Sequence, residues 1–164
     1  MKKINLIILI FLITNIYSKL SSSDFVIDIF GKEEVKTYKI DNNNLFRIIT
    51  TNSVFKTNTN IYGNSECDGT TEIYNKNIIL NLICELRDGK NKAYYVLKSN
   101  NTENYKKDNV KELSTKVLFI GGSGRWENLI GKSCNFVYFE YEEGASHAKV
   151  KCNITDAILS LFKN

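Results

Sequence analysis

The sequence contains no proline and only one histidine, His147, among its 164 residues. Without proline, the chain has neither a proline-rich linker nor a proline-based docking segment. With one histidine it cannot build a multi-histidine metal centre, and its four cysteines include no Cys-x-x-Cys pair for redox or zinc chemistry. We therefore predict no metal and no cofactor, and no catalytic residue can be assigned from a motif.

An excess of charge of one sign is also lacking. Lysine and arginine total 22 against 18 acidic residues, which gives a net charge of +4. Proteins that bind the phosphate backbone of nucleic acids carry a larger and more clustered positive charge. We therefore expect no nucleic-acid partner.

The first 18 residues have the layout of a signal peptide. Lys2 and Lys3 precede an apolar run over residues 4–16, and the small residue Ser18 offers a cleavage point. The run is shorter than the roughly 20 apolar residues that a membrane-spanning helix needs, so no stable span is expected after cleavage. We predict a signal peptide over residues 1–18, one domain over residues 19–164, and a secreted or periplasmic location.

The remainder of the chain has the pattern of an antiparallel β domain. Runs of β-branched and aromatic residues alternate with clusters of Gly, Asn and Asp. One helical turn is expected at 126–129, a strand or short helix at 156–162, and a polar loop at 99–112. The predicted strands cover residues 25–30, 35–40, 45–55, 61–65, 69–74, 78–87, 92–99, 115–120, 134–141 and 145–154.

Two predicted hairpins determine how the four cysteines pair. A two-residue turn over 75–76 and a three-residue loop over 142–144 each bring one pair of cysteines into register. In an oxidising compartment these pairs form disulfides that act as structural staples. The predicted disulfides join Cys67 to Cys84 and Cys134 to Cys152.

A third turn, Asp88-Gly89, joins the strands on either side of it and places Leu80 opposite Leu97. These strands then share one apolar face with the hairpin before them, and the last hairpin has a similar face. A consistent inner face favours a barrel or a sandwich. The side chains expected to line an interior cavity are Leu80, Leu82, Tyr95, Leu97, Phe136, Tyr138 and Glu140.

A glycine cluster follows the strand predicted over 115–120. Position 127 is Glu, so the cluster lacks the third glycine of a dinucleotide-binding fingerprint. We expect the glycines to supply backbone angles for a turn, and the tryptophan to cap one end of the core. The residues of this structural turn are Gly121, Gly122, Gly124, Trp126 and Gly131.

The segment Gly121-Gly122-Ser123-Gly124-Arg125-Trp126 resembles the Gly-Gly-Thr-Gly-(Arg/Lys)-aromatic segment of allene oxide cyclase-like and dirigent-like β-barrels, especially small secreted bacterial proteins. The resemblance covers roughly residues 60–152. It implies an up-and-down antiparallel barrel of about eight strands with an apolar interior. The proline-bearing cavity of the plant cyclases has no counterpart in a chain without proline, so the resemblance transfers no catalytic residue. Similar upstream elements, in matching order, are Tyr62-Gly63, Cys67-Asp68-Gly69 and Cys84 with Asp88-Gly89.

Three functions remain open at this point. The apolar inner face favours a non-enzymatic protein that binds a small hydrophobic ligand or acts as a structural module. An isomerase or cyclase with Glu140 or Asp28 as its acid-base group is the first alternative, although Asp28 is expected to face outward. An envelope protein-interaction module is the second. His147 is expected on the outer face, and the sequence predicts no oligomeric state.

Overall fold

The computed structural model describes residues 22–75, 77–100, 104–107, 110–141 and 144–163. The predicted signal peptide, residues 1–18, lies outside the described residues. Neither helix in the described part of the chain is long and apolar enough to cross a membrane. The elements are β1 (Ser22–Lys39), β2 (Leu45–Thr57), β3 (Tyr62–Tyr74), β4 (Asn77–Asp88), β5 (Asn91–Asn100), β6 (Asn104–Lys107), β7 (Val110–Gly122), a 3-10 helix (Gly124–Leu129), β8 (Ser133–Glu140), β9 (Ala145–Thr155) and α1 (Asp156–Leu161).

Eight of these strands close into an antiparallel barrel, which confirms the predicted fold. The order around the barrel is β1, β2, β3, β4, β5, β7, β8 and β9, and β9 is hydrogen-bonded to β1. β5 pairs directly with β7 and completes the ring. Each barrel strand is therefore paired on both sides, which removes the open edges of a flat sheet.

Two predicted strand breaks are absent. The strands predicted over 25–30 and 35–40 form the single strand β1, which ends at Lys39, and those predicted over 61–65 and 69–74 form β3, which begins at Tyr62. Gly31 does not interrupt β1, because it pairs with Ser53 on one side and Ser146 on the other. A Cβ atom at position 31 would lie 2.0 Å from the Ser53 hydroxyl oxygen, so the glycine permits a close approach of strands and is not a turn signal.

The expected polar loop over 99–112 contains β6 and the start of β7. β6 pairs with β7 from Asn104 opposite Leu113 to Lys107 opposite Val110, as a short hairpin beside the barrel. The segment is rich in Lys, Asn and Glu and lacks the apolar alternation that marks a half-buried strand. β6 is a strand because its backbone pairs with β7, and this pairing leaves no pattern in the sequence.

Both predicted disulfides are confirmed. Cys67 is bonded to Cys84 with an S–S distance of 2.04 Å, and Cys134 to Cys152 with 2.01 Å. The first pair lies directly opposite in the β3–β4 ladder, whose turn contains Asn75 with a φ of 48°. The bridges therefore fasten neighbouring strands at positions that the hairpin turns already bring together.

The predicted register between β4 and β5 is wrong by two residues. Leu97 lies opposite Leu82, not opposite Leu80, and the turn is formed by Gly89 and Lys90. Gly89 has a φ of 59°, a value that glycine adopts without strain. A shift of two residues preserves the direction of every side chain, so the predicted inner face is retained.

Asp88 causes this shift, because its side chain is held inside the barrel end. Its carboxylate accepts hydrogen bonds from Nε1 of Trp126 at 3.0 Å and from Nδ2 of Asn91 at 3.0 Å. Nε of Arg125 lies 3.5 Å from the same carboxylate. Asp88 is 8% exposed, so it remains the last residue of β4 and the turn begins after it.

Aromatic side chains fill the end of the barrel where the 3-10 helix lies. Trp126 is fully buried, and its ring centroid lies 6.1 Å from Phe25, 5.8 Å from Phe55 and 5.3 Å from Phe162. Phe162 follows α1, whose first turn is capped by the Thr155 hydroxyl. Residues 156–162, predicted as a strand or short helix, thus contain a helix that helps to close this end.

The glycine cluster shapes the turn around Trp126. Gly121 and Gly122 end β7, and Gly124 and Gly131 have φ values of 58° and 80°. A Cβ atom on Gly124 would lie 2.4 Å from the Asn91 side-chain oxygen. These features place the tryptophan over the barrel end, which we call the closed end.

Removal of a disulfide should lower stability without changing the fold. The two bridges join residues 17 and 18 positions apart, and loops of this length contribute roughly 3 kcal/mol each in the chain-entropy model. The paired variant Cys134→Ala with Cys152→Ala should therefore melt roughly 6–12 °C below the parent chain in scanning calorimetry. Equal melting temperatures of variant and parent would show that the bridge adds nothing to the ladder.

Asp88→Ala should destabilise the closed end, because it leaves the buried Trp126 N–H without an acceptor. The cost is about 1–3 kcal/mol of unfolding free energy, measured by urea unfolding with Trp126 fluorescence as the signal. Asp68→Ala is the matched control, since Asp68 is exposed and accepts a hydrogen bond from Thr50. If both variants lose the same stability, the buried hydrogen bond is not the cause.

Candidate functional site

A cavity of about 440 Å³ occupies the interior of the barrel, next to the aromatic side chains that fill the closed end. This volume lies within the range of small-molecule binding sites in proteins. All eight barrel strands contribute to the hydrophobic part of its wall. The apolar lining side chains are Ile29, Val35, Ile49, Ile73, Ile78, Leu80, Leu82, Leu97, Leu113, Phe136 and Ala148.

The sizes of the inward-facing residues explain why one end is filled and the other is hollow. On β2 the inward series includes Thr51 and Ser53 in the cavity wall and then Phe55, which packs against Trp126. On β9 the small residues Ser146 and Ala148 line the cavity. Small side chains leave interior volume, whereas the aromatic rings at the closed end fill it.

All seven residues predicted to face a cavity lie in its wall. They come from strands β4, β5 and β8. Burial raises the pKa of Tyr95, whose hydroxyl lies 3.8 Å from the Cys67 sulfur. These residues are Leu80, Leu82, Tyr95, Leu97, Phe136, Tyr138 and Glu140.

The two cystines differ in their relation to the cavity. Cys67 and Cys84 both contribute to the wall. Cys134 and Cys152 are each 1% exposed and do not belong to the lining. One bridge is therefore part of the site, and the other lies in the packed core.

A tyrosine and a glutamate form the most defined polar contact of the cavity. The Tyr138 hydroxyl donates a hydrogen bond of 2.5 Å to Oε1 of Glu33, and this bond links β8 to β1 over the strand β9 that lies between them. Burial raises the pKa of Tyr138, and the negative charge of Glu33 raises it further. Tyr138 therefore remains a protonated donor near neutral pH.

Two more carboxyl groups and one guanidinium group also line the cavity. Glu112 and Glu140 are partly buried, as is Glu33. Arg47 projects inward from β2, where it pairs with Thr37 of β1 and Thr71 of β3. Its Nε atom is buried and has no hydrogen-bond partner among the described residues. The cavity thus combines a hydrophobic body with polar groups of both signs.

Asp28 and His147 lie on the outer face of the barrel, as expected, and not in the cavity. His147 Nε2 is 3.0 Å from Oδ1 of Asp28, and Lys149 Nζ lies 3.5 Å from the same oxygen. The imidazole is stacked with Phe30 at 4.4 Å and with Phe139 at 5.8 Å. This placement removes Asp28 from the list of acid-base groups that a ligand in the cavity could meet.

Three charged residues of the cavity wall were not predicted from the sequence, namely Glu33, Arg47 and Glu112. Glu33 is an even number of residues from the buried Ile27 and Ile29, so its side chain lies on the same face of β1. The first strand was expected to end before it. Arg47 is an even number of residues from the buried Phe55 on β2, and this spacing would have identified it as inward-facing. Glu112 was assigned to the loop over 99–112.

No group of three or more metal-ligating side chains occurs within the described ranges of the chain. The interior carboxylates therefore do not form a recognisable metal centre there. Comparisons of the chain with protein-family models, with curated proteins and with solved structures returned no match, so the cavity itself is the guide to function.

Proposed function

We propose that this chain is a secreted or periplasmic protein that binds a small, largely apolar molecule inside its β-barrel. The observation that carries the proposal is the cavity of about 440 Å³ with a mainly aliphatic and aromatic wall. Apolar concave sites with a few polar groups are typical of small-molecule binding. A purely structural module would have no need of a hollow interior, because filled cores are more stable.

The resemblance to allene oxide cyclase-like and dirigent-like barrels supports the same proposal. Such barrels enclose small hydrophobic molecules, and the Gly-Gly-Ser-Gly-Arg-Trp segment of this chain lies where it closes one end of the interior. Secretion is supported by the signal-peptide layout of residues 1–18 and by two disulfides, which persist in oxidising compartments.

An isomerase or cyclase is the alternative function, and the placement of Glu140 beside Tyr138 on the cavity wall favours it. Binding and conversion are distinguished by the chemical identity of the ligand after incubation with the protein. A binding protein releases its ligand chemically unchanged after incubation, whereas an enzyme converts it.

Processing of the leader can be tested directly on protein from its native host. Intact mass spectrometry should give a mature chain that begins at Lys19 and carries four oxidised cysteines. Recovery of the chain with residues 1–18 attached, or with free thiols, contradicts the proposed destination.

A bulky substitution in the wall should weaken binding by filling part of the cavity. Leu82→Trp should weaken binding of the neutral fluorescent probe N-phenyl-1-naphthylamine at least about tenfold, since the indole occupies the space of the probe. Ile83→Trp is the matched control, because Ile83 is the next residue on β4 and is 51% exposed on the outer face.

The titration follows probe fluorescence at equal protein concentration, and native mass spectrometry of the unsubstituted chain counts bound molecules. A parent chain that shows no saturable binding refutes the proposal. Equal loss in both variants also refutes it, because the probe would then not occupy the barrel interior.

A further inference from the structure

Arg47 lines the cavity, and one of its side-chain donors has no hydrogen-bond partner among the described residues. Its guanidinium group is charged at all physiological pH values and has five N–H donors. The Nε atom is buried and lacks a partner among the described residues, although the side chain lines the cavity. A buried donor without an acceptor is costly, so the arrangement fits an acceptor supplied by a bound molecule.

The acceptor that best matches a guanidinium group is a carboxylate. Arginine and carboxylate groups form charge-assisted hydrogen bonds that are stronger than neutral ones and fix the orientation of the acid. A carboxylate next to Arg47 would leave the rest of a ligand facing the hydrophobic wall formed by Leu80, Leu82 and Phe136.

The same cavity is lined by three carboxyl groups of its own. Glu33, Glu112 and Glu140 all contribute to the wall, and Glu33 accepts a hydrogen bond from the Tyr138 hydroxyl. A ligand with only a negative charge meets repulsion from these groups in a medium of low polarity. A ligand with only a positive charge leaves the Arg47 donor without an acceptor.

We propose that the ligand is a zwitterionic amphiphile, with a carboxylate and a protonated amine at one end and an apolar chain at the other. The carboxylate binds Arg47, the ammonium group faces the glutamates, and the chain lies along the hydrophobic wall. This inference rests on the proposed function, because it requires that the cavity hold a ligand. It adds the chemical class of that ligand and assigns Arg47 as the residue that selects it.

Four probes with the same ten-carbon chain separate the contributions of charge. They are 2-aminodecanoic acid, decanoic acid, decylamine and 1-decanol, titrated into the mature protein by calorimetry at pH 7. The zwitterion 2-aminodecanoic acid should bind about 10- to 100-fold more tightly than 1-decanol, which corresponds to one or two charged hydrogen bonds. Decanoic acid and decylamine should each bind less tightly than the zwitterion.

Substitution of Arg47 tests its assigned role. Arg47→Gln should weaken binding of 2-aminodecanoic acid about 10- to 100-fold and leave 1-decanol unchanged, and the unchanged alcohol also shows that the variant is folded. Glu140→Gln should weaken the zwitterion and decylamine but not decanoic acid. Lys56→Gln is the matched control for Arg47→Gln, since Lys56 is an exposed cation of β2 that points away from the interior.

The outcomes separate this inference from the function on which it rests. If 1-decanol binds but the zwitterion has no advantage, or if Arg47→Gln weakens both equally, the ligand class is wrong and apolar binding stands. If decanoic acid binds more tightly than the zwitterion, the ligand is a simple anion and the inference fails. If none of the four probes binds, both the inferred ligand class and the proposed function fail.

Discussion

The direction in which each side chain points, into the barrel or out of it, is the constraint on which the rest of the structure depends. This direction is fixed by the register of eight mutually paired strands, and two cystines fasten that register within the β3–β4 and β8–β9 pairs. A slip of one residue in β9 would turn Lys149 and Lys151 inward and expose Val150. A hollow, mostly apolar interior exists only because no such slip occurs.

Much of the fold could be predicted because its hairpin turns are short and local. The turn at Asn75 and the loop before Ala145 determine the positions of both cysteine pairs without any information from distant residues. The register beyond Asp88 could not be found in this way, because the acceptor role of Asp88 depends on Trp126, which is 38 residues away. The continuity of β1 through Gly31 depends likewise on its contact with Ser53 of another strand.

The candidate site was predictable for the strands with tight turns and not for β1 and β2. Five residues separate Lys39 from Leu45, and the Asp41 carboxylate organises this loop by accepting hydrogen bonds from Asn43 and Asn44. Without a recognisable two-residue turn, the register of β1 on β2 stayed undefined, so the position of Arg47 relative to the residues of β1 could not be predicted. The hydrophobic part of the site was therefore visible in the sequence, and most of its charged part was not.

The position of the first cystine in the cavity wall gives the two bridges different chemical environments. Cys67 and Cys84 contribute to the cavity wall, whereas Cys134 and Cys152 are buried in the packed core. The cavity therefore gives small thiols a route to the first cystine that it does not give to the second. A molecule bound in the cavity, as proposed, would cover the Cys67–Cys84 bridge and slow its exchange with thiols, while the Cys134–Cys152 bridge would be unaffected.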